Sequence, residues 1–145
     1  MKLHITLPGK PYPQPRIRVG KFGAYYTNEH KDKVRITSDF LRTSADTQKW
    51  EKATGPVKVT ITTITKCPKK MNKQVVIKGK RLFRPLRPDI DNYAKYILDC
   101  CGRAENIWED DSLVTILIQK DFYGIPGEDS CTKVTIENLQ DYGDL

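Results

Sequence analysis

Arg87-Pro-Asp-Ile-Asp-Asn-Tyr-Ala-Lys-Tyr-Ile-Leu-Asp-Cys-Cys-Gly102, continued through Ile107-Trp-Glu-Asp-Asp-Ser112, is the stretch whose reading decides the rest of the chain. Pro88 biases Arg87 toward an extended backbone. Asp89 is then placed as an N-cap, because its side chain can accept from the orphan N–H groups of a first helical turn. Ile90, Ala94, Ile97 and Cys101 recur as one apolar stripe at helical spacing, and Gly102 reads as the C-terminal stop. Asp91, Lys95 and Asp99 form a polar row by the i, i+4 rule. Asp89 and Asp91 flank the first turn, where the macrodipole favours negative charge.

No acid lies between Glu51 and Asp89, and the chain carries a net charge of +7. A carboxylate cluster against that basic background points to a divalent metal acting on a polyanion. A hard cation such as Mg²⁺ takes oxygen ligands and shares them with waters and phosphates. The candidate ligands are Asp89, Asp91 and Asp111, with Lys95 placed to hold a phosphate or to stabilise transition-state charge. Asp99 is read either as support for Lys95 or as a direct participant. Acids at a helix start with lysine at i+4 are also ordinary surface-helix features. The later Trp108-Glu-Asp-Asp-Ser112 turn favours the site.

Outward from this stretch, Lys2–Leu7, Val57–Ile64, Leu113–Tyr123 and Cys131–Ile136 read as strands. In Leu113–Tyr123, Val114, Ile116 and Ile118 are expected to face one way. A helix capped by Thr27 or Asn28 runs to about Ser44, with Val34, Thr37, Leu41, Ile36 and Phe40 on its buried side. Residues 43–54 are polar, a helix tail or loop in which Trp50 is an anchor. Val75–Ile77 and Arg81–Phe83, joined through Lys78-Gly-Lys80, suggest a hairpin. The expected fold is α+β, a small mixed β-sheet with two main helices, in one domain spanning residues 1–145.

Bases flank the acids. Gly9–Tyr26 reads as an extended, mobile loop carrying Arg16 and Arg18 on one side, with Tyr12, Phe22, Tyr25 and Tyr26 either stacking on bases or packing. Nine bases and no acid occupy Lys66–Arg87, among them Lys69, Lys70, Lys73, Arg84 and Arg87. That run reads as a phosphate-guiding surface, and the pI of 9.2 agrees with an anionic partner. Cys100 and Cys101 are adjacent, Cys67 and Cys131 stand alone, and His4 and His30 lack ligand partners, so neither zinc nor disulfides are expected. No apolar run spans a bilayer and the N-terminus lacks a signal-peptide core, so the protein is read as intracellular, with no membrane partner.

The run Arg-Pro-Asp-Ile-Asp-Asn-Tyr-Ala-Lys-Tyr-Ile-Leu-Asp followed by Ile-Trp-Glu-Asp-Asp-Ser-Leu-Val resembles the signature of the RusA-type Holliday-junction resolvases. Carried over position by position, it points to Asp89, Asp91, Lys95 and the second acid of Asp110-Asp111. The resemblance implies a Mg²⁺-dependent endodeoxyribonuclease that nicks opposing strands of four-way junctions in DNA recombination and repair. It implies a homodimer with one site per strand, in the cytoplasm of a bacterial cell; such enzymes are often carried by phages. It also implies that the Pro/Arg-rich loop meets DNA. Tyr93, Tyr96 and the polar Arg103–Asn106 linker depart from the family pattern. Two other readings stand beside this one: a broader nuclease for flaps, forks or replication intermediates, and a non-catalytic DNA-binding protein.

Overall fold

The structure, a computed structural model, describes residues 1–71 and 79–145. In chain order its elements are β1 (Lys2–Pro8), β2 (Arg18–Gly20), β3 (Gly23–Tyr25), α1 (Asn28–Thr47), β4 (Val57–Thr65), α2 (Ile90–Ala104), β5 (Val114–Tyr123) and β6 (Cys131–Asn138). Short 3₁₀ turns lie at Lys69–Met71 and Asp111–Leu113. The main sheet has the order β1-β6-β4-β5; β6 is antiparallel to both its neighbours, and β4 and β5 are parallel. A parallel pair needs a crossover, and α2 supplies it. The mixed sheet with two helices is the α+β architecture expected from the sequence.

Alternation builds the core. Leu3 and Ile5 of β1, Val57, Val59 and Ile61 of β4, and Val134 and Ile136 of β6 are buried together with apolar residues of both helices. Trp50 is the anchor expected of it: it is buried, and its indole donates to the Ile107 carbonyl at 2.9 Å. All four cysteines are free, and Cys100 and Cys101 are fully buried. Burial pushes the Cys100 thiol up to about 12 and raises Cys101 as well, so both act as inert core residues.

Several expectations are corrected. Gly9–Tyr26 contains the β2–β3 hairpin, because Gly23 takes a φ of 107° that the turn requires. On α1 the buried side is His30, Val34, Ser38, Leu41 and Ala45, whereas Ile36 and Phe40 are 59% and 40% exposed. Ser38 is tolerated inside because its hydroxyl donates to the Val34 carbonyl at 2.6 Å. Gly102 does not end α2; the helix runs to Ala104 and closes on Glu105 at a φ of 69°. Ile90 is exposed, and Tyr93, Tyr96 and Cys100 widen the buried stripe instead. A register shift between Val57 and Lys58 pairs Val57 with Val114 but Lys58 with Ile116, so Val114 leaves the face of Ile116 and Ile118 and packs on the core. The expected hairpin around Val75–Ile77 lies outside the described residues.

One buried polar cluster ties the N-terminal loop to both helices. Tyr12 bonds to His30 Nδ1 at 3.0 Å and packs edge-on against Tyr96, while Tyr26 leans on the same imidazole. Burial lowers the His30 pKa from its ordinary 6.5, with Asp99 opposing and Arg103 assisting. The unfolded chain therefore takes up this proton first as pH falls. The stability linked to His30 is complete above 6.5 and is lost below it. The thermal midpoint should drop between about pH 7.5 and about pH 5.5, and by less in His30→Gln. An equal drop in both proteins would contradict this assignment.

Candidate active site

The amino end of α2 presents two carboxylates. Asp89 occupies the N-cap position with an extended backbone, but its side chain makes no capping bond, contrary to expectation. Asp91 in the first turn faces Lys95 Nζ at 3.8 Å, both side chains about two-thirds exposed (64% and 65%). Asp99 does not support Lys95; it pairs with Arg103 at 3.2 Å, one turn further on. The i, i+4 rule allowed either partner, and Lys95 takes the acid on its amino-terminal side.

What holds this end in place is a pair that the sequence reading assigned otherwise. Arg84, expected at the DNA surface, lies 3.3 Å from Asp121 Oδ2, with side chains only 12% and 5% exposed. The same guanidinium donates to the Leu86 and Arg87 carbonyls at 3.4 and 3.0 Å. Asp121 accepts a further bond from Thr63 at 2.9 Å. Arg84 thus fixes the loop that delivers Asp89. Gln119 of β5 reaches the Ile90 carbonyl at 2.6 Å and ties down the first turn. From the other side, Gln14 N–H donates to the Asn92 carbonyl at 2.9 Å, laying the Pro/Arg-rich loop along the acids. Asp121 sat inside a strand pattern, so its role was hidden from sequence; only its polarity at a core-facing position signalled it.

Asp111 is placed elsewhere. Its Oδ1 accepts from Trp108 Nε1 at 2.8 Å, and a Cβ added to Gly102 would lie 3.0 Å from that oxygen. Gly102 therefore gives Asp111 its seat, which explains a glycine inside a helix better than a stop does. Gly102 is eleven residues beyond Asp91 on α2, about 16 Å along the axis. One copy of the chain thus brings Asp89 and Asp91 together and holds Asp111 apart. Among the described residues no group of three His, Cys, Asp or Glu side chains could hold one metal ion. Asp110 caps the Asp111 turn by accepting from Ser112 N–H at 2.9 Å, which holds its carboxyl below the usual range.

Asp89 and Asp91 nonetheless fit a hard cation. They are oxygen donors, exposed, and not consumed by capping. Mg²⁺ is commonly held by one or two carboxylates plus substrate phosphates. The remaining candidate bases lie at the surface where the structure describes them. Arg87, Arg16 and Arg18 are exposed, the last on the β2 strand. Lys69 and Lys70 sit exposed in a 3₁₀ turn, and Lys73 lies outside the described residues. At the tip of the β2–β3 hairpin Phe22 is 97% exposed, with Val19 at 83%, so neither side chain contributes to the core.

These roles separate in mutants. Arg84→Ala strands the Asp121 carboxylate and should destabilise the fold by about 3 kcal/mol in denaturant unfolding. Arg87→Ala should leave unfolding unchanged and weaken DNA binding. Equal unfolding midpoints for Arg84→Ala and the wild type would contradict the structural role of Arg84.

The comparison with known proteins bears on the same residues. The family model of endodeoxyribonuclease RusA matches residues 8–137, a span that contains β2, β3, both helices, Asp89, Asp91, Lys95 and Asp111. A search of curated proteins finds no match. Spanning nearly the whole chain and both acid-bearing segments, the match makes this protein a member of the RusA endodeoxyribonuclease family.

Proposed function

We propose that this protein resolves four-way DNA junctions by Mg²⁺-dependent phosphodiester hydrolysis, as a homodimer that nicks opposing strands during recombination and repair. The observation that carries the reading is the exposed Asp89–Asp91–Lys95 constellation on the first turns of α2, in a chain of the RusA family. Asp89 and Asp91 of one copy would hold the cation, with Asp111 of the other copy of the dimer completing the set, since one copy keeps its own Asp111 at the far end of α2. When bound, it supplies phosphoryl polarisation and a water made acidic enough to attack in line.

The chain's own residues do the rest. Lys95 stands one helical turn from Asp91 and meets the non-bridging oxygens of the scissile phosphate. Arg87 binds the phosphate preceding it. Arg16 and Arg18, held beside the acids through the Gln14–Asn92 bond, bind a neighbouring arm. Lys69, Lys70 and Lys73 bind the backbone further out. A junction has approximate two-fold symmetry, so an isologous dimer offers one site to each of two strands. Phe22 at the hairpin tip offers its ring to an unstacked base at the branch point. The protein would work in the cytoplasm of a bacterial cell, on a bacterial or phage gene's behalf. None of its described helices is long and apolar enough to cross a membrane.

The test is cleavage of a labelled synthetic junction with and without Mg²⁺, beside duplex, fork and flap DNA. Paired nicks confined to the junction and dependent on metal are expected. Preferred cutting of flaps or forks would keep the site and overturn the junction role. Tight binding without cutting under any divalent metal would overturn catalysis. Asp91→Asn should abolish cleavage and leave junction binding intact; normal cutting by this variant would refute the metal site. Phe22→Ala should weaken junction binding by about 1–3 kcal/mol with little change on duplex. An unchanged junction affinity would remove the stacking role.

A further inference from the structure

We propose that the pocket between the first turns of α1 and the second half of α2 receives an unpaired nucleobase of the DNA strand that reaches Asp89 and Asp91. This rests on the proposed nuclease reading and deepens it.

The first ground is a cavity with an aromatic wall. Tyr26, His30, Lys31, Val34, Asp99 and Arg103 line a volume of about 210 Å³. Drug-sized ligands take pockets from about 300 Å³ upward, so this one suits a single flat ring system. Tyr26 and His30 meet with ring centroids 4.7 Å apart and planes at 47°. Val34 adds a buried apolar side chain. Bases stack on aromatic faces through the π-face that each of them carries.

The second ground is a set of hydrogen-bonding groups that the fold leaves unused. His30 is only 3% exposed. Its Nδ1 bonds to Tyr12 at 3.0 Å, and its Nε2 bonds to no described residue. Burial lowers its pKa, so at neutral pH Nε2 offers one hydrogen bond and no charge. Asp99 and Arg103 meet through a single bond, Nε to Oδ2 at 3.2 Å. Among the described residues, Asp99 Oδ1 and the two terminal guanidinium nitrogens have no partner. The Tyr26 hydroxyl accepts from Gln14 Nε2 at 3.2 Å, which leaves its own proton to donate. An acceptor beside several donors complements the Watson–Crick edge of a base, the edge that proteins read when a base leaves its stack. A simple inorganic anion would meet Asp99 as a like charge.

The third ground is position. Asp99 continues the row Asp91, Lys95, Asp99 on α2 and lies eight residues beyond Asp91, about 12 Å along the axis. A stacked strand rises about 3.4 Å per nucleotide, so it covers that distance in three or four steps, and in fewer when unstacked. Gln14 joins the two places. Its backbone N–H donates to the Asn92 carbonyl at 2.9 Å, and its side chain holds Tyr26. Lys31 is exposed at the rim, placed for the phosphate of the same nucleotide. A paired base cannot offer its Watson–Crick edge, so the occupant comes from a strand opened at a branch.

The test is NMR of the imidazoles, since the full chain has only two histidines, His4 and His30. The protein is titrated with trinucleotides of each of the four bases in buffer without divalent metal, so nothing is cut. The His30 signals should move and those of His4 should stay, and an abasic trinucleotide should leave both in place. Affinities read from His30 should differ by about tenfold between the best and the worst base. Asp99→Asn, which removes only an exposed ion pair, should bring that ratio near one. A silent His30 while fluorescence anisotropy shows the oligonucleotide bound would overturn the pocket. Equal movement with the abasic strand would overturn base recognition, as would a ratio that Asp99→Asn leaves unchanged. Movement with free deoxynucleoside monophosphates but not with trinucleotides would overturn the placement along a strand. A protein that binds and cuts no DNA would instead overturn the nuclease reading.

Discussion

The buried Arg84–Asp121 pair is the joint on which the site depends. Both side chains have left water, and the arrangement survives because every charged group there has partners: Thr63 on the carboxylate, and the Leu86 and Arg87 carbonyls on the guanidinium. The pair fastens the loop ahead of Asp89 to β5, while Gln119 fastens the first turn of α2 to the same strand. With the loop held by others, Asp89 does not have to cap its own helix, and its carboxylate stays open for chemistry. At the far end of α2, Trp108 and Gly102 do the equivalent for Asp111. The acids are thus placed by neighbours that are themselves buried.

Much of this was legible in the sequence. The alternation of Val57, Val59 and Ile61 specifies a half-buried strand, and Thr27 accepts from His30 N–H as an N-cap should. The Asp89/Asp91/Lys95 spacing places three charges on adjoining turns whatever surrounds them. What stayed hidden depended on tertiary partners. Arg84 looked like one more base in an acid-free run, because its buried acid lies on β5. Asp99 had two bases at i±4 spacing, and spacing alone does not choose Arg103 over Lys95. Ile36 and Phe40 were assigned inward on hydrophobicity alone, whereas Ser38 and His30 took the buried positions by finding hydrogen-bond partners. The separation of Asp111 from Asp91 was also illegible, since a motif reports order along a chain and not which end of a helix a later turn folds back upon.

The charge distribution and the fold explain each other. A chain of net charge +7 suits a polyanion, yet carboxylates repel phosphate unless a cation intervenes. Exposed acids stand at the amino end of α2, with Arg87 next to them in the chain and the loop carrying Arg16 next to them through the Gln14–Asn92 bond, so on the proposed reading attraction is long-range and the cation's place is local. The loop that leads into the hairpin carrying Phe22 is tied to α2 through the Gln14–Asn92 bond.

The most direct test is to locate Mn²⁺ by its anomalous scattering in crystals grown with that ion. The account predicts a peak at Asp89 and Asp91, with Asp111 of a second copy in its coordination shell. A peak at Asp99, Asp110 and Asp111 of one chain, with none at Asp89 and Asp91, would contradict it and move the chemistry to the other end of the helix.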